Sequence, residues 1–136
     1  LKKIGQVLID SQETRKQILG DLVHRKTDDH LLTYVIDGYC ALGALGCEAG
    51  LITNANPSAN YAQIIFAYGL HNLMKKKIRL DTGYSRRTFD TISGLIVYLN
   101  DHKKLSFKQI GRKLLNWQKK GYFKRKYIVI KHGVVK

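Results

Sequence analysis

Cys40 is the residue whose type and setting come nearest to chemistry. It stands in Asp37-Gly38-Tyr39-Cys40-Ala41-Leu42-Gly43-Ala44-Leu45-Gly46-Cys47-Glu48-Ala49-Gly50, which reads as the opening of a helix rich in small residues. A thiol at a helix N-terminus meets free N–H groups and the positive end of the macrodipole, which lower its pKa and make it a nucleophile. His71 lies in an apolar helical pattern, and His102 directly follows Asp101. Cys40, His102 and either Asp101 or Asp37 therefore form a candidate Cys-His-Asp set for a hydrolase or transferase. The opposing explanation is packing, because free cysteine is among the most buried residue types and fills space in an Ala/Leu/Gly helix. The sequence favours packing.

Other chemistries find less support. Cys40 and Cys47 fall two helical turns apart, about 10 Å along the axis, which is too far for a disulfide, so two reduced thiols are expected. No Cys or His pair has zinc spacing, and no metal or cofactor is implied. Gly38, Gly43, Gly46 and Gly50 lack the G-x-x-x-x-G-K-[ST] pattern of a phosphate loop and read as close-packing positions. The Asn100-Asp101 pair has a structural use available. Held at the start of the Cys40 helix, an amide or carboxylate would satisfy orphan N–H groups there.

The elements that must position these residues read as helices. Ile4, Val7, Leu8, Ile18, Leu19 and Leu22 recur at helical spacing over 1–22, as one helix or two broken near Ser11. Residues 23–30 are polar and predict a loop, while 31–36 suit either strand or helix. The helix from Cys40 ends at Gly50, a residue suited to a left-handed cap. Pro57 and Ser58 predict the start of a central helix over 59–75. Ser85 or Thr88 would cap a helix over 88–100, carrying Phe89, Ile92, Leu95, Ile96 and Leu99 on one face. Ser106 with Gln109 makes a capping box for a last helix over 106–120. Beyond Gly121, Tyr122 to Lys131 is strand-forming, and His132-Gly133 suits a turn, which predicts an extended arm or terminal hairpin. The expected fold is mainly α: a single compact helical domain over 1–120 with a basic C-terminal arm over 121–136.

Charge is the strongest signal. The 136 residues hold 24 Lys and Arg against 10 Asp and Glu, a formal charge of +14. Such an excess repels itself unless an anionic partner neutralises it, and solubility alone needs only about 2–8 charges. Asp101 is the last acidic residue, whereas 103–136 carries 12 Lys or Arg. The last predicted helix carries Lys108, Arg112, Asn116, Lys119 and Lys120 on the side away from its apolar stripe; Lys113 is a further candidate on this helix, and Lys124, Arg125, Lys126 and Lys131 follow. Lys75, Lys76 and Lys77, then Arg86 and Arg87, form earlier basic groups. Interleaved Trp117, Tyr122, Phe123 and Tyr127 either stack on unpaired bases or anchor the arm to the core. No apolar run approaches the ~20 residues that span a bilayer, so a cytoplasmic, membrane-free protein is expected.

The segment Tyr39-Cys40-Ala41-Leu42-Gly43-Ala44-Leu45, followed by Leu99-Asn100-Asp101 and by Ser106-Phe107 opening a last helix, resembles a family of small uncharacterised bacterial and phage proteins. The likeness covers residues 1–118 in order of elements and leaves out the basic segment from Lys119. It implies a helical domain and nothing catalytic.

Together these readings predict a non-catalytic RNA-binding protein, a component or associate of a large ribonucleoprotein such as a ribosome. Three alternatives accompany it. One is a duplex-DNA binder, with 106–127 as the helix and wing of a winged helix. Another is a phage protein that meets an acidic partner or acts on nucleic-acid machinery. The third is the Cys40 enzyme.

Overall fold

A computed structural model describes residues 2–30, 32–81 and 86–131. In chain order the elements are α1 (Ile4–Ser11), β1 (Val23–Asp28), β2 (Thr33–Tyr39), α2 (Ala41–Glu48), α3 (Tyr61–Ala67), β3 (Ile78–Asp81), β4 (Arg86–Phe89), α4 (Ile92–Val97), α5 (Phe107–Lys119) and β5 (Ile128–Lys131). Short 3₁₀ turns at His71–Leu73 and Tyr122–Lys124 and a π turn at Tyr98–His102 join them. The protein is thus mixed α/β, which corrects the expectation of a mainly α domain.

Three stretches account for the difference. Residues 23–30, polar enough to suggest a loop, form β1 and pair antiparallel with β2, from Val23 opposite Tyr39 to Asp28 opposite Thr33. β2 turns Ile36 and Gly38 toward the core, but no residue of β1 is buried, so the sequence of β1 carries no apolar alternation to betray a strand. The helix expected over 59–75 stops at Ala67, and that expected over 88–100 begins only at Ile92, after the four residues of β4 and with Thr91 as its cap. The third stretch is the expected arm. Ile128–Lys131 pairs in parallel with β3, Ile78 opposite Ile128 and Asp81 opposite Lys131, and β4 pairs antiparallel on the other side of β3. Ile128 and Ile130 are buried in the same core as Ile78 and Leu80. A parallel partner lies far away in sequence, and no turn signal announces it. The alternative cap Ser85 and the predicted turn at His132-Gly133 lie outside the described residues.

Other local expectations hold. Ser106 accepts from the Gln109 amide and Gln109 Oε1 from the Ser106 amide, the reciprocal capping box. Gly50 has φ +76°, and α2 spans Ala41–Glu48. Both cysteines are free.

The core is organised by two close backbone approaches. α1 crosses α5 where Gly5 meets Gly111: a Cβ on Gly111 would lie 2.5 Å from the Gly5 carbonyl oxygen, and one on Gly5 would strike the Gly111 carbonyl. Gly43 of α2 rests against the Leu22 carbonyl, again with no space for a Cβ. α2 is buried along Ala41–Gly46 and lies among α1, α3 and α4. Among the described residues no helix is long and apolar enough to cross a membrane.

Candidate nucleic-acid interface

Two basic runs, far apart in sequence, meet at one end of the three-stranded sheet. Because Ile78 stands opposite Ile128 in a parallel pair, the residues before them leave the sheet side by side. These are Lys75-Lys76-Lys77 and Arg125-Lys126-Tyr127. Lys76 Nζ donates to the Arg125 carbonyl (3.0 Å), and Asn72 Nδ2 donates to the Phe123 carbonyl (3.0 Å), so the first run straps the second in place. Gly121, at φ +76°, ends α5 and turns the chain into this loop. Phe123 anchors the loop in the core.

Six cations, Lys75, Lys76, Lys77, Lys124, Arg125 and Lys126, are gathered here, and five of them are exposed while Lys76 is half-buried. Both runs come from stretches without a carboxylate, since none occurs from Ala49 to Leu80 or after Asp101. Among the described residues, Asp90, which follows β4 out at the same end, is the one nearby acid in the sheet's connections. Lys119 and Lys120 extend the charge onto the end of α5, where cations also suit the negative pole of the helix. The Arg125 guanidinium lies 4.3 Å from the centre of the Tyr122 ring and Lys120 Nζ 6.0 Å from it. Tyr127 stands open, 76% exposed.

The remaining candidates are dispersed or buried. Arg86 and Lys131 both sit beside Asp81, at the opposite end of the sheet, and Arg86 Nε is 3.8 Å from the Asp81 carboxylate. Arg87 packs its guanidinium 4.7 Å over the Tyr98 ring. Lys108 and Arg112 are exposed on α5. Lys113 and Trp117 are corrections to the expected interface. Lys113 is 7% exposed and Trp117 is completely buried, so neither reaches a phosphate or a base. Periodicity places Lys113 on the edge of the apolar stripe, but only the packing of neighbouring elements shows that edge to be covered. Asn72, which holds the loop, carries no charge or motif that sequence reasoning would single out.

The Cys40 arrangement differs from the catalytic set. Cys40 is the N-cap of α2, and its Sγ accepts from the Gly43 amide at 3.3 Å. Burial pushes the thiol's pKa up, more than the Gly43 and Leu42 amides pull it down, and Asp101 raises it further. A nucleophile needs the reverse. Asp37 is hydrogen-bonded to His24 (2.6 Å), which holds its carboxyl below the usual range. The His102 ring stacks on Tyr98, 5.7 Å between centres. Among the described residues, no hydrogen bond joins His102 to Cys40 or Asp101. Beside Cys40 a crevice bordered by Leu22, Tyr61, Ile96 and Asp101 encloses about 20 Å³, space for water and not for a substrate.

The Asn-Asp pair has the structural role open to it. The π turn brings Asn100, fully buried, to the start of α2, where its Oδ1 accepts from the Ala41 amide at 3.1 Å. Asp101 Oδ1 accepts from the Gly20 amide (3.1 Å) and from Asn100 Nδ2 (2.7 Å). No protein-family model, curated protein or solved structure matches this chain.

Proposed function

We propose that the protein binds RNA, without catalysis, through the basic end of its three-stranded sheet. The observation that carries this reading is the parallel register of β3 and β5, which sets two cationic runs, neither containing a carboxylate, next to each other. Like charges brought together repel, and a phosphate backbone relieves that repulsion while releasing its counterions. The loop is already held by Asn72 and Lys76, so less ordering entropy opposes binding. A winged helix would require a hairpin after α5, whereas Ile128–Lys131 pairs in parallel with β3. That pairing speaks against the winged-helix form of the duplex-DNA alternative.

The test is retention of RNA by the intact chain across a salt series, with the variant Lys75→Glu, Lys77→Glu, Lys126→Glu alongside. The expected result is binding at low salt that declines log-linearly with added salt and is abolished in the variant. Neutral replacements, Gln at the same three positions, should flatten the slope by about 2, at ~0.7 for each single-strand phosphate no longer neutralised. Unchanged RNA retention by the charge-reversed protein, with its fold intact by circular dichroism, would overturn the assignment.

A further inference from the structure

Resting on that reading, we propose that the basic end takes single-stranded in preference to duplex nucleic acid, with an unpaired base stacked on the ring of Tyr127. Among the described residues Tyr127 is the most exposed aromatic side chain. Its backbone is fixed all the same, because Ile128, the next residue, is buried in β5, and the Arg125 carbonyl is held by Lys76. An anchored main chain thus presents an open ring.

Tyr34, Tyr98 and Tyr122 also have basic neighbours, and in each an arginine already lies over one face of the ring. Arg25 lies 4.5 Å over Tyr34, Arg87 lies 4.7 Å over Tyr98 with His102 stacked as well, and Arg125 lies 4.3 Å over Tyr122. Among the described residues, Tyr127 has the Lys126 ammonium alone over its ring, 5.7 Å from its centre. A flexible ammonium at that distance is readily exchanged for a base, after which it can meet the adjoining phosphate. Paired bases within a duplex are stacked on one another and offer no free face, so a duplex reaches this surface through phosphates alone. A single strand uses both features: phosphates on Lys75, Lys77, Lys124 and Lys126, and a base on Tyr127.

Fluorescence anisotropy on the full chain would compare a labelled oligouridylate, an RNA duplex of equal length and inorganic polyphosphate, a polyanion without bases. Wild type should prefer the single strand at equal salt. Tyr127→Ala should weaken single-strand binding roughly 5- to 100-fold, leave the duplex and polyphosphate within about twofold, and leave the melting temperature unchanged. Tyr127→Phe, which keeps the ring, should behave as wild type. Equal affinity for both nucleic acids, or an alanine variant that binds the single strand as well as wild type does, would overturn the stacking proposal while polyphosphate binding kept the cationic site. Failure of all three probes to bind at low salt would overturn both.

Discussion

Asn100 accepts a hydrogen bond from the backbone amide of Ala41, fifty-nine positions earlier in the chain. The same amide side chain also takes one from Gln17 Nε2 (2.8 Å) and donates to the Ile18 carbonyl (3.0 Å) and to Asp101 (2.7 Å). One buried residue therefore joins the start of α2, the segment after α1 and the π turn, with its oxygen and both of its N–H donors engaged.

Replacing Asn100 should consequently destabilise the fold more than removal of one ordinary cap. Asn100→Ala leaves the Ala41 N–H and the Ile18 carbonyl without their partner in a buried site, at about 1–3 kcal/mol for each unsatisfied group. Asn100→Asp should not rescue it, because the second oxygen would face the Ile18 carbonyl and the Asp101 carboxylate. Asp101→Ala, which releases the Gly20 N–H at the surface and one N–H of Asn100 but leaves the Ala41 and Ile18 contacts in place, should cost less, about 1–2 kcal/mol. Denaturant unfolding of the three variants measures the order; an Asn100→Asp protein as stable as wild type would refute it.

The crossing of α1 and α5 makes its own prediction. Gly111→Ala places a methyl group 2.5 Å from the Gly5 carbonyl and 2.9 Å from the Ile9 amide nitrogen, so the helices must separate. The expected loss is about 1–3 kcal/mol, read as a lowered melting temperature. Gly50→Ala is the comparison, since nothing lies within 4 Å of its added carbon and the penalty is the left-handed backbone at φ +76° alone. That penalty is about 1–2 kcal/mol.

Lys113 should be a liability to stability. Its Nζ is buried and has no hydrogen-bond partner among the described residues, and desolvation lowers its pKa. Lys113→Met keeps the length of the chain, removes the unsatisfied amine and should stabilise the fold by about 1–3 kcal/mol at neutral pH. The sign with pH follows from the direction of the shift. Between the depressed native value and the unfolded value near 10.4, the unfolded chain holds this proton more readily than the native one, so wild-type stability rises with pH across that window. The advantage of Lys113→Met should shrink as pH approaches 10. A gain that stays constant from pH 7 to 10 would contradict this account.

Cys40 should alkylate slowly in the native protein at neutral pH, because burial raises its pKa and covers its sulfur. Cys47, less buried and also shifted up by desolvation, should label sooner than Cys40, and both should react readily once the chain unfolds. Mass spectrometry after timed iodoacetamide treatment checks the order. Rapid, selective labelling of Cys40 would restore it as a nucleophile.

How far the sequence reaches into this protein can be judged residue by residue. Ser106 and Gln109 announce the start of α5 because a capping box is made within four residues, and Ile110, Gly111 and Leu114 mark its buried face by helical period. The start of α2 at Cys40 and the need for a polar group to cap it are legible for the same local reason. The excess of cations is a matter of composition, and no folding is needed to see it. By contrast, the partner of Ile128-Val129-Ile130 cannot be read, because a parallel strand has no local turn to betray it and only burial against Ile78 and Leu80 selects it. The basic end depends on that choice. So does the division of Lys126 from Lys131, which the same ladder sends to the opposite end, beside Asp81 and the Arg86 that β4 brings there. Local chemistry thus determined where α2 and α5 begin and how much charge the chain must carry; tertiary packing decided where that charge collects, since strand register is set by long-range burial of apolar side chains.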